Sequence, residues 1–375
     1  MTADVLIVGA GIVGAACAAE LASLGMRVDV LDAQGVGGGA TAAGMGHIVV
    51  MNDSPAEFAL SRYSRDLWLA LAPQLRVQDA FTRCGTLWVA ADDEEWQAAR
   101  AMQAAFATQG VAAPLLDAAA LHACEPALAD SLAGGLLIEH DCIVYAPAAA
   151  QWLLTRSAGA ARICTRLNAQ AVALDAHSVT LASGERLHAA HVIVANGLGA
   201  SQLLPSLPMQ PKKGHLLITD RYPGLIHHQL LELGYSSSAH QASGTSVAFN
   251  VQPRPTGQLL IGSSRQFDTT DPVVEMAVLA QMLARAARYL PALPTLNGIR
   301  AWTGFRAASP DGLPLIGPAG EYAPGVWLAV GHEGLGVTTS LGTAALLAAQ
   351  IAGHVAPIPA EAYWPGRFTQ KVTHD

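Results

Sequence analysis

The chain opens Asp4-Val-Leu-Ile-Val-Gly9-Ala-Gly11-Ile12-Val13-Gly14 and, after an alanine-rich stretch, reaches Val28-Asp-Val-Leu-Asp32. In order, this reads as an apolar strand, a glycine-rich turn, a helix and a second strand ending in a carboxylate. That unit holds a dinucleotide, and its parts have separate tasks. Gly9 permits the tight turn, Gly11 lets the backbone approach a pyrophosphate, and Gly14 lets the helix lie close against the strand. Ile12 and Val13 begin the helix, whose unpaired N–H groups and partial positive charge face the phosphates. Asp32, eighteen residues beyond Gly14, is placed to accept from ribose hydroxyls and would repel a 2′-phosphate, so FAD or NAD fits and NADP does not. A glycine-rich turn can exist with no ligand. The strand before it, the helix after it and the acid closing the second strand together argue for one.

The rest of the composition narrows the class. A chain of 375 residues forms one large or two medium domains. Apolar residues make up 51% and charged ones 13%, enough to bury a large core and suited to a chain that buries surface against a partner. The net charge is −8 and no basic run occurs, which argues against nucleic-acid binding. The start lacks a basic n-region and enters a strand at once, so no signal peptide is read. The apolar run from Val326 to Gly353 is broken by His332, Glu333 and several glycines, so no membrane span is read either. Cys17, Cys84, Cys124, Cys142 and Cys164 are scattered without a C-x-x-C pair. Neither zinc nor an iron–sulfur cluster is implied, and free thiols in a reducing cytoplasm are expected.

Strand and helix patterns alternate at both ends of the chain and mix in the middle. Residues 56–72 read as an amphipathic helix, 274–290 as a helix, and 215–219, 245–251 and 258–263 as strands of a second sheet. Near the end, Val326-Trp-Leu-Ala-Val330 runs through Gly331-His-Glu-Gly-Leu-Gly336 into a long apolar helix, repeating the logic of the opening. The expected architecture is α/β: a Rossmann-like dinucleotide domain made of residues 1–80, 140–212 and 300–375, with a mixed-sheet substrate domain made of 81–139 and 213–299.

Further motifs give the chain a family resemblance. They are Gly39-Ala40-Thr41-Ala-Ala-Gly44-Met45-Gly46, Pro211-Lys-Lys-Gly214-His215, Ala195-Asn-Gly197, Trp302-Thr-Gly304-Phe-Arg306-Ala-Ala-Ser-Pro310-Asp311-Gly312-Leu-Pro314-Leu-Ile-Gly317, and Gly331-His-Glu-Gly334-Leu335-Gly336-Val337-Thr338. In their order along the chain they resemble the glycine oxidase/D-amino acid oxidase-type flavoproteins over nearly the whole chain. The finer match resembles FAD subunits of multi-subunit hydroxyproline or proline dehydrogenases. Ala307 stands where the family often has proline.

The resemblance implies non-covalent FAD, seated on the residues named above together with Val172. No cysteine follows Cys164, so the late cysteinyl–flavin bond of the sarcosine-oxidase branch cannot form. No lysine lies between 214 and 370, so that branch's oxygen-activating lysine is missing too. Residues 39–46 carry little side-chain bulk, as a backbone running along a flat ring requires; the other reading is an ordinary flexible loop. The resemblance places Met45, Gly46 and His47 near flavin N5; the other reading of His47 is a surface or satisfied core histidine. A helix N-terminus after Gly331–Gly336 would favour the charge that builds at the flavin N1/O2 edge; the other reading is a packed turn. His332 and Glu333 are candidates to line the site.

Arg306 is the strongest catalytic candidate. A guanidinium grips a carboxylate through two parallel hydrogen bonds, and the family's matching arginine clamps the substrate's carboxylate. The competing reading pairs Arg306 with Asp311. Tyr235, His240, Asn250 and Gln252 are further candidates without a spacing to choose among them. The implied reaction is oxidation of the C–N bond of a small amino or imino acid, with electrons leaving to a partner subunit carrying further redox centres or to a quinone. An oxygen-using oxidase of glycine or a D-amino acid, and a non-catalytic electron-relay subunit, are the alternatives.

Overall fold

The computed structural model describes residues 3–234, 244–267 and 269–369. Tyr235 and His240 fall outside them.

The opening motif forms what its pattern requires. Strand Val5–Val8 and strand Val28–Leu31 pair in parallel, joined by helix Ile12–Ser23. Both sides of the opening strand are covered, since Val5, Leu6, Ile7 and Val8 are all buried. That accounts for the continuous apolar run, and burial of each such side chain contributes about 1.5–3 kcal/mol. The sheet grows to six strands in the order Leu315–Pro318, Val326–Val330, His191–Val194, Val5–Val8, Val28–Leu31, Ile163–Arg166. All neighbours are parallel except the first pair. Helices Ile12–Ser23, Ala146–Arg156 and Gly336–Ala352 share one apolar core on this sheet. The expected helix at 56–72 is Pro55–Leu71. Ser54 Oγ accepts from the Glu57 N–H, and Pro55 takes the first turn.

The second sheet has eight strands, ordered Gly298–Ala308, Gln210–Arg221, Gln258–Gln266, Thr245–Pro253, Gln229–Glu232, Thr86–Ala90, Gly134–Ile138, Leu115–Asp117. Only Gln229–Glu232 and Thr86–Ala90 run parallel. One face packs on helix Met276–Tyr289. The other looks towards residues 39–47. The borders read from sequence at 212/213 and 299/300 cut through paired strands: Lys212 sits opposite Arg306, and both belong to the second sheet. A turn-based reading misses this, because the strands Gln210–Arg221 and Gly298–Ala308 are longer than their apolar cores. Strand Ala171–Asp175, which carries Val172, lies in a separate three-stranded antiparallel sheet.

Candidate active site

The first glycine turn is tightly built. Gly9 has φ +112°, and a Cβ there would lie 2.7 Å from the Ala195 carbonyl oxygen. A Cβ on Gly14 would lie 2.0 Å from the Gly9 carbonyl oxygen. Gly11 is looser, with only Thr41 Oγ1 near a would-be Cβ, at 3.2 Å. That hydroxyl also accepts from the Ile12 N–H at 3.0 Å, so the small-residue segment touches the helix start directly. The Asp32 carboxylate accepts from the N–H groups of Ala10 at 2.8 Å, Gln34 at 2.8 Å and Gly35 at 3.0 Å. It therefore shapes the turn, and carboxylate oxygens retain lone pairs for a ribose hydroxyl. Ala195 donates to the Val8 carbonyl at 2.8 Å, which sets Ala195-Asn-Gly197 beside Gly9.

Residues 39–43 form a short helix. Ala40, Ala42 and Gly44 on this segment are exposed. A Cβ at Gly39 or at Gly197 would meet nothing within 4 Å. The far end of the chain arrives at the same place. Thr338, in the first turn of helix Gly336–Ala352, donates from Oγ1 to the His47 carbonyl at 2.9 Å and accepts from the Val49 N–H at 3.3 Å. No side chain caps that helix, so the N–H groups at Gly336 and Val337 remain available to an acceptor. Small residues along a flat surface, and two helix starts lacking side-chain caps of their own, fit a long dinucleotide carrying negative charge.

Arg306 stands on the sheet face turned towards this segment. On the same face, a Cβ at Gly304 would lie 2.4 Å from Ala43 Cβ, and Trp302 Nε1 donates to the Ala43 carbonyl at 3.2 Å. The guanidinium of Arg306 covers Gly214, where a Cβ would lie 2.8 Å from Nη1. It donates to the Ser264 carbonyl at 3.2 Å, and its Nε lies 3.7 Å from a would-be Cβ at Gly334. No carboxylate among the described residues comes within 4 Å of it. The Asp311 pairing does not form, since Asp311 is taken by Arg367.

Glu333 is partly buried and receives the Gly334 N–H, with Lys212 Nζ 3.8 Å away. Burial pushes its carboxyl up, but Arg306, Arg265 and Lys212 pull harder and hold it below the usual range. Met45 packs on Leu216 and Leu260, against Trp302.

His47 turns into the second sheet. Its Nδ1 contacts Gln229 Oε1, Asn250 Nδ2 reaches its Nε2 at 3.2 Å, and Gln252 Nε2 lies 3.3 Å from Nδ1. Burial brings its pKa down to about 4, the Gln229 contact opposing and Arg254 and Arg306 adding to the shift. His47 is thus neutral at physiological pH. His332 is buried against helix Gly336–Ala352, its Nε2 3.0 Å from Thr343 Oγ1, with a pKa brought to about 4 by burial. Its ring nitrogen is spent on the helix.

The structure thus brings Gly9, Gly11, Gly14, Thr41, Met45, Gly46, His47, Arg306, Gly334 and Thr338 to one region. Val172 is half exposed on the small three-stranded sheet, three residues after Ala169, whose N–H donates to the Asp32 carbonyl at 2.9 Å. Sequence reading missed Gln229, Thr86 and Arg254. Arg254 Nη1 donates to the Met45 carbonyl at 3.3 Å and to Gln252 Oε1 at 2.9 Å. Polar residues at alternate positions 250, 252 and 254, where strand Thr245–Pro253 runs out of an apolar stretch, were the available signal.

A family model described as DAO, FAD dependent oxidoreductase, matches residues 4–350, and the chain belongs to this family of FAD-dependent oxidoreductases. It is similar to hydrogen cyanide synthase subunit HcnC of Pseudomonas aeruginosa, with 28% identity covering 98% of this chain and 96% of that one. It is similar to a subunit of the opine oxidase of Rhizobium meliloti, with 27% identity over 93% of each. The crystal structure of glycine oxidase from Geobacillus kaustophilus superposes with a TM-score of 0.86 at 26% identity, covering 98% of this chain and 99% of that one.

All five cysteines are unpaired. Among the described residues no cluster of His, Cys, Asp or Glu could hold a metal. No described helix is long and apolar enough to cross a membrane.

Proposed function

We propose that the protein oxidises the C–N bond of a small amino or imino acid, of the D-hydroxyproline or proline kind, and passes the electrons to a partner subunit or quinone. The observation that carries this reading is Arg306: a guanidinium that no carboxylate of the described residues approaches within 4 Å, although Glu333 feels its charge, facing the cofactor segment with donors to spare. Such a group orients a substrate carboxylate as well as binding it. Bound FAD supplies the hydride acceptor at N5. The chain's own residues position and desolvate: Met45 and Trp302 provide apolar cover, and neutral His47 fixes the Gly44–Gly46 segment to the second sheet. Amine oxidation by hydride transfer asks for orientation and electrostatics more than for acid/base groups. Relatives named for glycine oxidase and opine oxidase support the substrate class. Two relatives named as subunits support the existence of a partner chain.

The test is anaerobic bleaching of the FAD-loaded protein with glycine, sarcosine, D-alanine, L-proline and cis-4-hydroxy-D-proline. Bleaching by one or more supports the reading, and bleaching by none overturns it. The likeness to glycine oxidase favours a second reading, an oxidase that uses oxygen directly. Stoichiometric hydrogen peroxide from the purified chain would establish that instead.

A further inference from the structure

Asn250 is a buried amide whose two ends are not equivalent. Only 2% of the residue is exposed, and its Oδ1 is buried without a hydrogen-bond donor. Which atom of the amide is the oxygen follows from a chain of contacts. The Cys142 backbone carbonyl can only accept, so the Gln229 atom 3.1 Å from it is Nε2, which also reaches Thr86 Oγ1 at 3.2 Å. Gln229 Oε1 therefore faces His47 Nδ1, which carries the hydrogen, while Gln252 Nε2, 3.3 Å from Nδ1, turns its own hydrogen to Gln229 Oε1 at 3.4 Å. With His47 neutral, Nε2 is then a bare acceptor. Asn250 must present Nδ2 to it, as it does at 3.2 Å. Its oxygen is left on the side of the amide away from the imidazole.

The face on which this oxygen sits is the one already described. Asn250 pairs with Gly262 across the ladder, and opposed residues share a face. A Cβ at Gly262 would lie 3.1 Å from Met45 Sδ and 2.8 Å from Leu216 Cδ2. Two residues before Leu216 is Gly214, beneath the Arg306 guanidinium. A buried carbonyl oxygen with no donor is costly, a cost a fold sustains where a ligand brings the donor.

We propose that Asn250 Oδ1 accepts an N–H of the substrate's amine while Arg306 holds its carboxylate, so the site selects ligands bearing both groups. This rests on the amino-acid reading above. The amide cannot take up a proton; it binds and orients the nitrogen. Gln229 and His47 act one step back as positioning residues that fix which way the amide points.

The experiment uses the FAD-loaded protein. From the panel above, it takes the amino acid that bleaches the flavin fastest and the matching acid without the nitrogen: cyclopentanecarboxylate for the prolines, acetate for glycine or sarcosine, propionate for D-alanine. Affinities are read anaerobically, from the flavin's visible spectrum for the acid and from the substrate dependence of bleaching for the amino acid. Asn250→Ala should weaken the amino acid roughly tenfold and leave the acid within about twofold. Asn250→Asp, which keeps an acceptor, should retain the preference for the amine-bearing ligand. Equal loss for both ligands, no loss for either, or an Asp variant that loses the preference as the Ala variant does would overturn the assignment. An unmutated protein bleached by no amino acid would instead fail the substrate reading, and this assignment with it.

Discussion

Arg367 closes on both oxygens of Asp311, with Nε 2.7 Å from Oδ2 and Nη2 2.9 Å from Oδ1. The same guanidinium donates to the carbonyls of Leu313, Pro314 and Trp364. This contact ties residues near the end of the described chain to the Ser309–Leu313 turn. It also removes the one acid within five residues that could have neutralised Arg306.

The pair should therefore matter for stability and not for substrate. Arg367→Ala should cost about 1–3 kcal/mol, since several hydrogen bonds are lost although the pair is partly exposed. Thermal unfolding should show the loss while the KM for the bleaching amino acid stays within twofold. A KM that rises tenfold would mean Asp311 reaches Arg306 after all.

Arg306→Ala removes a bidentate, charge-assisted contact. Activity, kcat/KM, should fall by roughly a hundredfold or more at unchanged FAD content, since hydrogen bonds to a charged group are worth about 1.5–3 kcal/mol each. Arg306→Lys should recover only part, because a lysine offers a point charge and not a fork. Full activity in the Ala variant would dispose of the carboxylate clamp.

The glycine turn makes a graded prediction. Gly14→Ala puts a Cβ 2.0 Å from a backbone oxygen, whereas Gly11→Ala puts one 3.2 Å from a single hydroxyl. The first should unfold the domain or cost several kcal/mol by overpacking. The second should fold with near-normal apo-protein Tm yet hold FAD less tightly, because the added methyl occupies the pyrophosphate's approach. Absorbance at the flavin band against protein concentration separates the two.

Asp141 is buried, with Arg65 Nη1 3.8 Å away and the Val50 N–H donating to Oδ1 at 3.2 Å. Burial raises its pKa to about 7, against lowering by Thr86, Arg65 and the Val50 N–H. In the unfolded chain the group titrates near 4. Between about pH 4 and 7 the folded state thus binds the extra proton, so this group's contribution weakens as pH rises and is fully lost above 7. Asp141→Asn mimics the protonated form. Its stability relative to the unmutated protein should improve from pH 5 to pH 8, by on the order of a few kcal/mol. A difference in Tm that does not change with pH would show that the carboxyl is ionised throughout.

The nucleotide-binding unit was legible because it is local: strand, turn, helix and strand fall within residues 4–32, and each glycine's steric reason survives in the fold. The second sheet was legible as strands but not as an order, since its neighbours come from residues as far apart as Thr86 and Gln229. The family resemblance carried Arg306 and Met45. The amide cluster around His47 had no such carrier. Gln229, Asn250 and Gln252 sit on two strands and Thr86, which holds Gln229, on a third, and only tertiary pairing brings the three amides to one imidazole. Asp311 was the opposite case. It is near Arg306 in sequence, yet its partner lies fifty-six residues away at Arg367.

Thr338 hydrogen-bonds the backbone at residues 47 and 49, and strand Val326–Val330 lies in the same sheet as strand Val5–Val8. During synthesis from the N-terminus, the first half of the seat leaves the ribosome some three hundred residues before the second. A nascent chain halted before residue 326 would carry the fingerprint glycines but lack the strand and helix that complete their sheet and core. Flavin capture would therefore follow translation of the strand and helix that begin at residue 326.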